Sequence, residues 1–238
     1  MVRVAHLKRL VAPVYWPTHS RGYTWTFSPS PGPHKKDECI PLAIIVRDIL
    51  KLAETGKEAK KIIKAGEILV DGKVRKDPRY PVGLLDVISV PKIDKYYRII
   101  PYKKGLKLIE IERDEANKKI VKILDKKSVK GGKIQLNLND GKNILVTDNK
   151  YKTHDSLLIE LPSLKILEHV KLEEGVLVLI TSGQNSGKIG RVMKIYEGKF
   201  NVKPKIECEI EDRKVEVLRD YAICIGKERP LIRVVEYE

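Results

Sequence analysis

The chain has 238 residues, 42% of them hydrophobic but only 6% aromatic, which is enough apolar material for several small cores and too few rings for one large one. A formal net charge of +15, a pI near 9.6 and the lack of any apolar run near the roughly 20 residues of a membrane-spanning helix argue against a membrane partner and for a polyanion. The N-terminus has no signal-peptide pattern, so a cytoplasmic protein is expected.

Three cysteines, Cys39, Cys208 and Cys224, lie far apart with no C-x-x-C pair, and the five histidines show no ligand spacing. Reduced core thiols are expected, with no metal, no cofactor and no small-molecule substrate. The charge is placed unevenly: residues 1–36 carry six Lys/Arg and no Asp/Glu, whereas 173–238 carry 12 of each. An even spread of both signs would suit thermostabilising ion pairs; this distribution suits a nucleic acid.

The first elements in chain order belong to a basic, aromatic arm over residues 1–40. Arg3, Lys8, Arg9, Arg21, Lys35 and Lys36 are interleaved with Tyr15, Trp16, Tyr23, Trp25 and Phe27, beside His6 and His34. No helical or strand period runs through it, and five of the 13 prolines fall here. Rings that stack on unpaired bases and cations that neutralise phosphates predict an extended arm ordered by RNA. The alternative is that the rings pack on the chain's own domain.

The stretch "PLAIIVRDILKLAETG" predicts a helix with Leu42, Ile45, Ile49 and Leu52 on one face, Arg47 and Lys51 on another, and Gly56 as its stop. A second helix follows in "KEAKKIIKAG". There Ala59, Ile62 and Ile63 face inward while Lys57, Lys60, Lys61 and Lys64 form one stripe fit for tracking phosphates. "EILVDGKVRKD" predicts a hairpin with a type I′ turn at Asp71-Gly72, and it carries Lys73, Arg75 and Lys76, with Arg79 just beyond. "GLLDVISVPK" supplies a further strand.

Two helices followed by "AGEILVDGKVRKDPRYPVGLLDVISV", with Gly66, Asp71-Gly72 and Gly83 in place, resemble the S-four RNA-binding domain. "GLLD" stands where many members have Gly-Asp directly. That departure, with "HLKRLVAPVYW" and "GPHKKDECIPL" before the module, resembles the archaeal and eukaryotic small-subunit ribosomal proteins of the S-four-E type along nearly the whole chain.

Residues 98–172 read mostly as β. Ile134, Leu136 and Leu138 alternate with Gln135, Asn137 and Asn139, and a turn at Asp140-Gly141 leads back through Ile144 and Val146. A helix capped by Asp114 is predicted in "DEANKKIVKIL".

"TSGQNSGKIG" at 181–190 looks at first like a phosphate-binding loop. Gly183 and Gly187 are one residue too close for a Walker loop, Ile189 occupies the hydroxyl position, and the alternation after it predicts a strand where a Walker loop needs a helix. The array "GVLVLITSGQNSGKIGRVMKI" resembles the KOW motif. That resemblance implies turn-forming Gly183, Gly187 and Gly190, backbone contacts by Lys188 and Arg191, and a small SH3-like barrel over 173–238.

The expected fold is mixed α+β and mostly β: an extended arm (1–40), a helix-plus-hairpin RNA-binding module (41–97), a central β domain (98–172) and the barrel. Composition reaches only an RNA-binding protein. The resemblance implies a non-enzymatic constituent of the small ribosomal subunit, with ribosomal RNA and neighbouring small-subunit proteins as partners. An RNA-modifying enzyme would need a catalytic domain that the remaining 98–172 does not suggest, and an elongation factor built on the barrel leaves the N-terminal motifs unexplained.

Overall fold

The computed structural model describes residues 7–17, 24–103, 105–211 and 213–234. It is mixed α+β and mostly β, as expected, with short helices and several antiparallel sheets. The chain folds into two compact units, Met1–Ile99 with Lys104–Ala116 and Ile100–Lys103 with Asn117–Glu238.

In the first unit, β1 (Leu7–Lys8) pairs antiparallel with β2 (Trp25–Thr26), setting Leu7 opposite Thr26. The arm is therefore not an extended tail over its described residues. Leu7 and Trp16 are buried in the same core as Ile40, Leu42, Ile63 and Ile88, and Tyr15 and Phe27 pack against it. The rings pack on the chain's own domain because the first helix and the sheet leave apolar surface that they can cover.

β3 (Cys39–Pro41) leads into α1 (Leu42–Ile44), which widens into a π-helical stretch over Ile45–Ile49. One apolar face was expected, yet Leu42 to Val46 are all buried, so this segment is wrapped on every side. The Leu50 N–H donates to the Ile45 carbonyl, and Lys51 at φ 52° turns the chain out. Gly56 does not stop this helix but opens the next, α2 (Gly56–Ala65). Thr55 and Glu58 form a capping box there: the Thr55 hydroxyl accepts from the Glu58 N–H at 3.3 Å, and the Glu58 carboxylate accepts from Thr55 and Glu54. Gly66, at φ 81°, ends α2 in the left-handed conformation.

β4 (Leu69–Val70) and β5 (Lys73–Val74) form the expected hairpin, with positive φ at both Asp71 and Gly72 as a type I′ turn requires. β6 (Pro81–Gly83) pairs with β3, and β7 (Val87–Val90), β8 (Lys95–Tyr102) and β9 (Gly105–Ile111) complete a sheet of order β5-β4-β7-β8-β9. The expected helix capped by Asp114 is a single turn, α3 (Arg113–Ala116).

The second unit opens with β10 (Lys118–Ser128), the longest strand, where the sequence reading continues that helix. Strand wins because Ile120, Val121 and Ile123 are buried beside inward-facing Lys119 and Lys122, a pattern with no polar helical face. β11 (Ile134–Leu138), β12 (Asn143–Val146), β13 (Ser156–Glu160) and β14 (Ile166–Val170) join it in the order β12-β11-β10-β13-β14, with Leu136 opposite Ile144 as the alternation predicts.

Two ionic groups are buried along β10. Lys119 lies 3.2 Å from the Asp140 carboxylate, which also meets Lys142 at 3.0 Å. Burial alone would raise the Asp140 carboxyl, but the two ammonium groups outweigh it and hold it below its ordinary value. Lys122 points its three donors at the carbonyls of Arg219, Asp220 and Ala222, at 2.8, 3.0 and 2.8 Å. Burial pulls its ammonium down to about 8, still protonated at neutral pH.

β15 (Leu177–Ile180), β16 (Ile189–Tyr196), β17 (Lys205–Ile210) and β18 (Arg213–Leu218) then run to a 3-10 turn at Arg219–Tyr221 and to β19 (Ala222–Gly226). The order β18-β17-β16-β15-β19, in which the last strand returns to the first, is that of a small SH3-like barrel. Its core includes Val178, Val192, Ile206, Cys208 and Cys224. All three cysteines are free and buried, and burial pushes their thiols up, Cys39 and Cys224 to about 12 and Cys208 to about 11.

Candidate nucleic-acid interface

The densest cationic surface in the first unit is α2. With the capping box setting its start and Ala59 and Ile63 turned to the core, the 3.6-residue period leaves Lys57, Lys60, Lys61 and Lys64 exposed. Among the described residues none of the four has a carboxylate partner. The Phe27 ring lies against this helix, with the Lys60 ammonium 5.5 Å and the Arg47 guanidinium 5.7 Å from its centre. Gly56 makes room for it, since a Cβ there would lie 3.3 Å from the ring.

The other end of α2 abuts the hairpin. A Cβ on Gly66 would stand 3.1 Å from Val74 Cγ1 and 3.7 Å from Lys76 Cε, which brings the hairpin cations beside the helical stripe. Lys73 and Lys76 are exposed. Asp71, buried in the turn, accepts from the Val87 N–H at 3.0 Å and fixes the hairpin on its sheet. Helix, ring and hairpin therefore make one cationic surface with a single aromatic set into it, suited to a phosphate backbone.

Other candidates have different surroundings. Trp16 is buried, and its indole donates to the Cys39 carbonyl at 2.8 Å, so no ring face is left for a base. The His34 side chain is largely covered too, bonded to the Asp86 carboxylate at 2.9 Å and lying over Gly83. Arg47 forms a two-pronged pair with Asp48 at 2.7 and 2.8 Å. Arg75 stacks on the Tyr80 ring at 4.5 Å, and Arg79 donates to the Ser28 carbonyl at 2.6 Å, tying the N-terminal segment down. These side chains build the surface from beneath.

Lys8, Trp25, Lys35, Lys36 and Lys51 are exposed, Lys35 within 3.7 Å of Glu38, and Arg9 is half-buried. Lys8 stands opposite Trp25 across the β1–β2 pair, a cation beside an exposed ring. Arg3, His6, Arg21 and Tyr23 lie outside the described residues.

In the second unit the loop 181–188 joins two antiparallel strands, with Leu179 opposite Ile189, so the context is strand, loop, strand as expected. Gly183 and Gly187 have φ of 91° and 86°. Gly187 is also pressed against backbone: a Cβ would fall 2.7 Å from the Pro101 carbonyl oxygen. Gly190 is not in the loop but inside β16, where a Cβ would lie 2.9 Å from Ile210 Cγ1; its reason is close packing. Lys188 is held by Glu211 at 2.8 Å, and exposed Arg191 faces Glu209 across the strands. The loop is thus less cationic than its sequence suggests.

Among the described residues no helix is long and apolar enough to cross a membrane, and no group of His, Cys, Asp and Glu could hold a metal ion.

Comparison with known proteins bears on this geometry. The S4 domain pattern matches residues 40–88, which contain α2 and the hairpin; the RS4NT (NUC023) domain matches 4–37, and Ribosomal family S4e matches 93–166. The chain is 46% identical over 242 residues to the small ribosomal subunit protein eS4 of Ignicoccus hospitalis, covering 97% of this chain and 95% of that one. It is 46% identical over 230 residues to eS4 of Archaeoglobus fulgidus, covering 95% and 97%. The crystal structure of the 30S ribosomal protein S4e from Thermoplasma acidophilum is similar at a TM-score of 0.71 and 29% identity, over 84% of this chain and all of that one. The chain belongs to Ribosomal family S4e, the family of the small ribosomal subunit proteins eS4.

Proposed function

We propose that this chain is a structural constituent of the small ribosomal subunit, which binds ribosomal RNA through the α2–hairpin surface and contacts neighbouring small-subunit proteins. The observation that carries the reading is the stripe of Lys57, Lys60, Lys61 and Lys64, exposed and without carboxylate partners among the described residues, within the segment that matches the S4 domain. Four ammonium groups at helical spacing follow a phosphate backbone by charge and position rather than by reading bases. Lys8, Lys35, Lys36, Lys73, Lys76 and the exposed Arg191 of β16 add further phosphate contacts. Many weak contacts joined on one chain raise the effective concentration at each successive site.

The test is binding of the purified protein to small-subunit ribosomal RNA across a salt series, beside a Lys57→Ala, Lys61→Ala, Lys64→Ala triple variant. The wild type is expected to show a steep log-log slope, and the variant a slope shallower by about 2 to 3, since each neutralised phosphate releases roughly 0.7 to 0.9 counterions. An unchanged slope in the variant would refute this surface as the interface.

A further inference from the structure

Two cations beside the β16–β17–β18 strands are paired with carboxylates: Lys188 meets Glu211 at 2.8 Å and Lys205 meets Glu216 at 3.0 Å. That pattern stops at the tip between β16 and β17. The Val202 N–H donates to the Lys199 carbonyl at 2.8 Å and closes a tight turn over 199–202. A Cβ on Gly198 would meet the Val202 carbonyl oxygen at 2.8 Å and Pro204 Cδ at 3.1 Å, so the neck of the turn is closely packed. The Pro204 carbonyl in turn accepts from the Arg219 N–H at 3.1 Å and anchors the returning leg.

Phe200 sits second in this turn, 102% exposed, beside Asn201 and between Lys199 and Lys203. Among the described residues neither lysine has an ion-pair partner. An ordered turn that presents a whole ring to water gains stability only when something covers the ring. The surroundings decide what fits. A protein pocket is met by an aromatic anchor within a wider apolar patch, whereas this ring is flanked along the chain by Lys199, Asn201 and Lys203, with half-exposed Val202 in the same turn. An unpaired nucleotide offers a flat π-face for the ring and phosphates for the two ammonium groups.

We propose that Phe200 is a stacking platform for an unpaired nucleotide, with Lys199 and Lys203 on the flanking phosphates. It is a second RNA contact, carried by a different unit from the α2 stripe. The inference rests on the ribosomal-RNA reading above and adds a base contact to one that is otherwise all phosphate.

The experiment compares wild type with Phe200→Ala, Phe200→Leu and Phe200→Trp in binding to small-subunit ribosomal RNA and in incorporation into reconstituted subunits. Phe200 has no packing to lose, so all three fold. Alanine and leucine are expected to weaken RNA binding roughly ten-fold, and tryptophan to restore it, with its emission, after subtraction of the wild-type signal, quenched on binding. Leucine as good as phenylalanine would overturn stacking, as would alanine with wild-type affinity. Reduced incorporation at unchanged RNA affinity would mean a protein partner and would equally overturn it. RNA binding that depends on the α2 lysines but not on Phe200 defeats this proposal alone; a wild type that binds no ribosomal RNA defeats both.

Discussion

The indole nitrogen of Trp16 donates to the carbonyl oxygen of Cys39, 2.8 Å away and 23 positions along the chain. The Tyr15 hydroxyl shares that oxygen at 3.0 Å, so two rings fasten the N-terminal segment to the first strand of the module. Trp16→Ala is expected to lower unfolding stability by about 3 to 5 kcal/mol, as for a large core ring. Trp16→Phe should cost only about 1 kcal/mol more than its loss of volume, because the carbonyl keeps the Tyr15 bond. Urea denaturation measures both, and limited proteolysis should cut the alanine variant within 7–17 sooner than the wild type. An alanine variant as stable as the wild type would show that the ring is dispensable to the core.

Lys122 gives each of its three N–H donors to one carbonyl on the path from β18 to β19. Lys122→Met keeps the stem and removes the donors, leaving the Arg219, Asp220 and Ala222 carbonyls short of partners. The expected loss is on the order of 3 to 5 kcal/mol, read as a fall in the thermal midpoint. No change in that midpoint would show that water satisfies these groups.

His154 introduces a pH dependence. Burial first, then the nearby Lys122 and Arg219 charges, lowers its imidazole to about 4 against an ordinary 6.5. Between those values the unfolded chain binds more protons than the folded one, so stability falls as pH drops from 6.5 to 4 and levels off below. The side chain is 17% exposed, and water screening leaves an effect on the order of 1 to 2 kcal/mol. The residue has φ 71°, which asparagine tolerates, so His154→Asn is the control. Urea midpoints at pH 7 and pH 4.5 should differ by less in the variant than in the wild type; equal differences would remove His154 as the cause.

The glycines of the 181–190 segment should separate by mechanism. Gly183→Ala meets only the left-handed backbone cost of about 1 to 2 kcal/mol, because nothing lies within 4 Å of the new methyl. Gly187→Ala adds a collision with the Pro101 carbonyl and should cost about 2 kcal/mol more. Lys188→Ala removes only an exposed pair with Glu211 and should change stability by less than about 1 kcal/mol. Chemical denaturation of the three variants is the check, and equal losses at Gly183 and Gly187 would contradict the Pro101 contact.

How far sequence carries depends on whether a signal is local. The capped, lysine-striped helix, the Asp71-Gly72 hairpin and the alternation around Asp140-Gly141 are readable because period, cap and turn chemistry all act within a few residues. The fate of the N-terminal rings is not. Whether Trp16 meets a base or Cys39 depends on where the chain places residues 23 positions apart. The run "KKIVKIL" misleads for the same reason: its lysines look like a solvated helical face, while partners as distant as Asp140 and Ala222 draw Lys119 and Lys122 inward and make a strand. Lys188 reads as a free cation until β17 and β18 bring Glu211 to it. Phe200 gives only the faint signal of a lone ring between two lysines, and its full exposure belongs to the turn that carries it.

The three buried thiols make the chain a clock for its own opening. A thiol held neutral and away from solvent reacts with an alkylating reagent only in the moments when its surroundings part, so the labelling rate counts those moments. Cys39 lies on β3 in the first unit, while Cys208 and Cys224 lie on β17 and β19 in the second. Mass spectrometry of the modified peptides would time the two units separately in one unmutated sample. Free protein and assembled particle could then be compared residue by residue for the rigidity that assembly confers.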